Sequence, residues 1–92
     1  MPAYRVLIES AAERDVRHLP GHVRQRARRI IVDLAREPRP PQAVELRGHP
    51  GYWRQRLLEW RIIYRVEDDP PTVTVIAVPR KRGPETYTST LS

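Results

Sequence analysis

Residues 51–66, G-Y-W-R-Q-R-L-L-E-W-R-I-I-Y-R-V, limit what this chain can fold into more than any other stretch. They read as two β-strands joined by a tight turn, rich in aromatic and β-branched residues. Side chains alternate along a strand, so parity assigns each one a face. Arg54 and Arg56 share a face of the first strand, opposite Trp53, Gln55 and Leu57. On the second strand, Arg61, Ile63 and Arg65 oppose Trp60, Ile62, Tyr64 and Val66. The latter set is the more apolar and belongs against a core. Arg54, Arg56, Arg61 and Arg65 then gather on the face that the core leaves bare, and no acidic residue follows each one to neutralise it.

The flanking segments say what covers the apolar face. Residues 3–9, A-Y-R-V-L-I-E, form a short strand, with either Tyr4, Val6 and Ile8 or the face with Leu7 turned inward. S-A-A-E at 10–13 has the pattern of a capping box, with Ser10 as N-cap and Glu13 reaching back to it. Ala12, Val16 and Leu19 follow at helical spacing until Pro20-Gly21. A second helix starts near His22, with Val23, Ala27, Ile30, Ile31 and Leu34 on one stripe and Arg24, Arg26, Arg28 and Arg29 elsewhere. E-P-R-P-P at 37–41 stops it, because proline lacks an amide donor and restricts its predecessor. The very short link predicts an antiparallel helical hairpin. A loop over 38–51 holds a short element, V-E-L-R-G. Strands over 52–58, 60–67 and 72–79 follow, with Asp68-Asp69-Pro70-Pro71 as a turn. Arg80, Lys81 and Arg82 come next and should reach the rim of the arginine face. The tail from about 88 reads as loose. The expected architecture is α+β: one domain over 1–92, with a helical hairpin on one face of a small, mainly antiparallel four-stranded sheet ordered β-α-α-β-β-β. The other face must be solvated or hold a ligand.

Charge indicates what that ligand is. The 92 residues carry a net charge of +6, which suits a polyanion: nucleic acid, an anionic membrane surface or an acidic protein. Clustered like charges cost free energy, so their retention points to an anion that relieves the repulsion. The planar guanidinium fork suits phosphate. Tyr52 and Tyr87 offer stacking surfaces for unpaired bases, and Trp60 would be a third were it not assigned to the core by parity. The chain has no cysteine, which excludes disulfides and thiolate metal sites. His18, His22 and His49 are scattered, and no metal or other cofactor is expected. No apolar run is long enough to span a bilayer and no signal-peptide pattern opens the chain, so no membrane partner is expected and the cytoplasm is the expected location.

From about Tyr4 to Tyr87 the chain resembles the RelE/ParE superfamily of toxins from bacterial type II toxin–antitoxin systems, and is most similar to the RelE branch. The matching pieces are A-A-E-R-D-V-R-H-L-P, E-P-R-P, E-L-R-G, Y-W-R-Q-R-L, W-R-I-I-Y-R-V, T-V-I-A-V and R-K-R-x-x-E-x-Y, in that order. The resemblance implies a ribosome-dependent endoribonuclease that cuts mRNA in the ribosomal A site without a metal and is restrained by a cognate antitoxin protein. It carries the family's basic pair onto Arg54 and Arg56, its strand arginine onto Arg61, its basic residue after the last strand onto Lys81, and its terminal tyrosine onto Tyr87. Arg80 and Arg82 are close alternatives to Lys81, and Arg65 adds a phosphate contact. Where the family's best-known pattern has lysine on the first strand of the pair, this chain has arginine, which effectively cannot act as a base. Glu85 and Glu59 are the nearest carboxylates for that role. A ParE-like inhibitor of DNA gyrase, or a weakly active binding module, would share the fold.

Overall fold

The computed structural model describes residues 3–81. In chain order they form β1 (Arg5–Ile8), α1 (Ser10–Arg17), α2 (Gly21–Asp33), β2 (Val44–Glu45), β3 (Tyr52–Leu57), β4 (Trp60–Asp68) and β5 (Pro71–Ala77). One sheet has the order β1-β5-β4-β3-β2. β1 runs parallel to β5, and the other pairs are antiparallel. The α+β expectation holds, with five strands rather than four. The added strand is β2, drawn from the expected V-E-L-R-G element. Gly48 and Gly51, at φ of 80° and 86°, turn the chain back. The Glu45 carboxylate accepts from the Gly51 amide at 2.9 Å, and the Leu46 amide donates to the Tyr52 carbonyl at 2.8 Å. Val44 and Glu45 are thereby set opposite Arg54 and Trp53.

The helices begin differently from the capping pattern. Glu9, not Ser10, is the N-cap of α1, and no side chain caps it. Its own amide still donates to the Val75 carbonyl at 3.0 Å, extending the β1–β5 ladder to the helix mouth. Ser10 is therefore already helical and cannot cap. Pro20 occupies the N-cap of α2, where its missing donor costs nothing.

The core follows the two periodicities. Ala12 and Val16 of α1, Leu19, and Val23, Ala27, Ile31 and Leu34 of α2 meet Ile62, Tyr64, Val66, Val73 and Val75 of the sheet. Each fully buried aliphatic side chain contributes about 1.5–3 kcal/mol. Tyr4 and Val6 pack on this core, whereas Leu7 and Ile8 stay 41% and 40% exposed, so the inward face of β1 is that of Tyr4 and Val6 and does not extend to Ile8.

The E-P-R-P-P segment does more than end a helix. The buried Tyr64 hydroxyl donates to the Pro38 carbonyl at 2.8 Å and lies 3.4 Å from Gln55 Nε2. Arg39 grips both oxygens of Asp68 at 3.1 and 2.9 Å, and the Tyr4 hydroxyl donates to the same carboxylate at 2.6 Å. The Arg39 guanidinium lies 5.9 Å from the Trp53 ring centre, within cation–π range. The Arg39 bond, then the Tyr4 bond, hold the Asp68 carboxyl below the usual carboxylate range. The loop that leads into β2 and β3 is thus tied to the sheet. Among the described residues no helix is long and apolar enough to cross a membrane.

Candidate functional site

The β3–β4 hairpin sets Arg54 opposite Ile63, Arg56 opposite Arg61 and Tyr52 opposite Arg65. Directly opposed residues share a face. Trp53, Gln55 and Leu57 pair with Tyr64, Ile62 and Trp60 on the helix side, so all four arginines lie on the other side, as parity predicts.

That face is not simply bare. Ile63 is fully buried at its centre, and Arg61 and Thr74 are 7% and 8% exposed. Ile63 has Arg54 across the strand pair and Arg61 and Arg65 two positions away along its own strand. Arginine stems are suited to covering such an apolar side chain while their heads stay polar.

The pairing of Arg56 with Arg61 poses an electrostatic problem, since like charges directly opposed are destabilising. The structure resolves it by folding Arg61 back. Its Nη1 donates to the Leu58 carbonyl at 3.0 Å and to the Trp60 carbonyl at 2.7 Å. Leu58 sits in the turn at φ 53°, a left-handed conformation uncommon for a residue with a side chain. Two carbonyls of a strained turn therefore fix the Arg61 guanidinium, and Arg56 remains exposed opposite it.

Arg65 differs from the other three. Its guanidinium pairs with Glu67 at 3.3 Å. The Tyr52 hydroxyl, and then the Glu67 and Glu9 carboxylates, raise its pKa above the ordinary arginine value. The expectation that no acid accompanies these arginines thus fails at Arg65. Its Nε is buried without a hydrogen-bond partner.

The chain leaving β5 returns along the start of β4. The Arg61 amide donates to the Pro79 carbonyl at 2.9 Å, and the Lys81 amide donates to the Glu59 carbonyl at 2.7 Å. Between these bonds Trp60 and Arg80 form an antiparallel bridge, so their side chains share a side. Trp60 packs toward the core, and the Arg80 guanidinium lies 5.6 Å from its ring centre. Arg80 Nη2 also meets both Glu59 oxygens at 3.2 Å. Alternation then sends Lys81 to the arginine side. Of the three basic residues expected at the rim, Arg80 lies on the helix side with Trp60, and Lys81 is tied by its amide to the turn at Glu59. Arg82 lies outside the described residues, as do Glu85, Tyr87 and the tail from 88. Glu59, considered as a base, is engaged by Arg80.

Sequence reading missed the Arg39–Asp68–Tyr4 and Tyr64–Pro38 contacts, because no local spacing links residues so far apart. His49 stacks edge-on to Tyr52, with ring centres 6.3 Å apart. Among the described residues no three His, Asp or Glu side chains gather as metal ligands would.

Comparison with known proteins agrees with this architecture. The family described as ParE toxin of type II toxin–antitoxin system, parDE, matches residues 6–83. The mRNA interferase toxin RelE of Escherichia coli (strain K12) is 30% identical over 87 residues, spanning 92% of this chain and 90% of that protein. The structure of a doubly substituted E. coli toxin RelE in the free state superposes with a TM-score of 0.79 at 27% identity, covering 97% of this chain and 95% of the other. The archaeal RelE–RelB complex from Pyrococcus horikoshii OT3 gives a TM-score of 0.77 at 26% identity, covering 88% and 99%. With sequence and fold matched over most of its length, and with the RelE branch supplying these relatives, the chain belongs to the RelE/ParE superfamily of type II toxin–antitoxin toxins.

Proposed function

We propose that this toxin is a ribosome-dependent mRNA endoribonuclease of the RelE type, acting in the cytoplasm and restrained by a cognate antitoxin. One observation carries the reading: Arg54, Arg56 and Arg61 share one face of the β3–β4 hairpin, and a backbone bond from the Lys81 amide to the Glu59 carbonyl ties the chain after β5 to its turn. Support also comes from relatives named as mRNA interferases and from similar folds solved as RelE–RelB complexes.

In this reading the RNA 2′-hydroxyl attacks the adjacent phosphorus and the bond to the 5′-oxygen breaks. The products are a 2′,3′-cyclic phosphate and a 5′-hydroxyl. The dianionic phosphorane needs preorganised positive charge. Arg61, held by two turn carbonyls, and Lys81 supply it, while Arg54 and Arg56 hold flanking phosphates. Tyr87 stacks on a base and orients the attacking hydroxyl. Arg65 and Arg82 add charge along the mRNA path.

Brief induction followed by mapping of mRNA 5′ ends tests the proposal. In-frame cuts within translated codons are expected. The ParE family match favours one second reading, gyrase inhibition. Intact transcripts together with failed supercoiling by purified gyrase would establish that reading instead.

A further inference from the structure

The geometry points to the Glu59–Arg80 pair as a positioning clamp that sets Lys81 on the arginine face. The inference rests on the proposed cleavage reaction for its functional meaning, and on separate contacts for its structure. Residues 79–81 lie beyond β5 yet continue its pairing with β4. Two backbone bonds, Arg61 to Pro79 and Lys81 to Glu59, stitch them to the residues on either side of Trp60. The Arg80 side chain adds a second attachment at the same place. One nitrogen meets both Glu59 oxygens at 3.2 Å, and the guanidinium lies 5.6 Å from the Trp60 ring centre.

Glu59 therefore holds this segment twice, through its carbonyl to Lys81 and through its carboxylate to Arg80. Its neighbour Trp60 is partly buried against the core, so the clamp has a rigid base. A basic residue at 80 cannot itself join the arginine face, because the Trp60 bridge fixes it on the helix side. Its effect on the reaction passes through the next residue, Lys81. The same contacts give Glu59 a role other than proton removal.

Charge sign provides the test. Glu59→Gln removes a negative charge from a basic protein. If Glu59 acted only through the general field, the variant would bind a polyanion more tightly and cleave at least as fast. A clamp requires the opposite. Glu59→Gln and Arg80→Ala should each slow single-turnover cleavage of mRNA on programmed ribosomes by about five-fold, the size an exposed pair can supply. Ribosome affinity should not weaken for Glu59→Gln. The double variant should be no slower than Arg80→Ala alone, because that substitution already removes the partner of Glu59. Hydrogen exchange at the Lys81 amide should accelerate by about five-fold in each variant, while amides of Val73 and Val75 stay protected. Unchanged or faster cleavage by Glu59→Gln overturns the clamp, as do additive losses or unchanged Lys81 exchange. Absence of cleavage by the parent toxin overturns the cleavage reading instead, and amide exchange still decides whether the pair holds Lys81.

Discussion

Arg61 is where the strand geometry and the proposed chemistry meet, and its replacement separates them. The side chain is 7% exposed, and its Nη1 donates to the Leu58 and Trp60 carbonyls. Hydrogen bonds from a charged donor contribute about 1.5–3 kcal/mol where both groups are desolvated. At a turn the two carbonyls can recover water, so Arg61→Ala should cost about 1–3 kcal/mol in total. For a domain of this size each kcal/mol lowers Tm by about 4–8 °C. The rate should fall further than stability explains. Removing one preorganised donor from a developing oxyanion costs about 2.7–4 kcal/mol, or roughly 100- to 1000-fold. Arg61→Lys is the sharper variant. It keeps the charge but replaces a planar fork with a single ammonium, which cannot hold both carbonyls and still present donors in a fixed plane. It should lose at least about ten-fold in single-turnover cleavage on programmed ribosomes, since one factor of ten is only about 1.4 kcal/mol. Circular dichroism would first confirm that each variant is folded at the assay temperature. Arg61→Lys within three-fold of the parent at unchanged Tm would refute the idea that the turn carbonyls preorganise the guanidinium.

Other substitutions test the scaffold and the basic face. Tyr64→Phe removes the buried hydroxyl that donates to Pro38, and should cost about 1–3 kcal/mol in urea denaturation; a loss under 0.5 kcal/mol, roughly the floor for an ordinary hydrogen bond, would mean the loop does not depend on it. Asp68 titrates below its ordinary value because Arg39 and then Tyr4 stabilise the carboxylate. Such a group adds stability above its unfolded pKa of about 3.9 and loses it as pH falls through the folded value. The Tm difference between the parent and Asp68→Asn should therefore hold steady from pH 7 to about 5 and shrink below about pH 4; growth of that difference in acid would contradict the latch. Arg54→Ala with Arg56→Ala should flatten the salt dependence of ribosome binding, lowering the log–log slope by about 0.7–0.9 for each phosphate that is no longer neutralised. An unchanged slope would place both arginines away from RNA.

What the sequence revealed and what it concealed follow from the range of each signal. Strand parity is local, so alternation alone assigns Arg54, Arg56, Arg61 and Arg65 to one face, and helical spacing alone assigns Val23, Ala27, Ile31 and Leu34 to a buried stripe. The edge strand β2 was only half visible, because two residues carry too little alternation to register as a strand. Ser10 looked like a cap because S-A-A-E fits the pattern. The ladder bond from Glu9 to Val75 is long-range and moved the helix start. Long-range pairing also hid the latch between Arg39 and Asp68, and it divided the basic cluster at the rim. Three consecutive basic residues look equivalent in sequence. Only the Trp60–Arg80 bridge reveals that Arg80 lies on the helix side of the sheet.

In the proposed reaction, the remaining question is where the proton of the attacking hydroxyl goes. A guanidinium side chain is not a practical proton acceptor, so the arginine face offers no base for it. Glu59 accepts from Arg80, which commits its carboxylate to the rim. The described part of the site therefore stabilises charge and orients groups more readily than it removes protons. That division has a kinetic signature. A carboxylate base of ordinary acidity is already ionised at pH 6, so the rate would be flat from pH 6 to 8. Attack assisted by solvent hydroxide, or by the small neutral fraction of a lysine, instead rises by about one log unit per pH unit over the same interval. The arginine face predicts the rising profile. The measurement is the single-turnover cleavage rate at saturating toxin, with ribosome integrity checked at each pH. A flat profile would assign the proton to a carboxylate, with Glu85 the first to test by Glu85→Gln, and would show that charge stabilisation by Arg61 and Lys81 is only part of the catalysis.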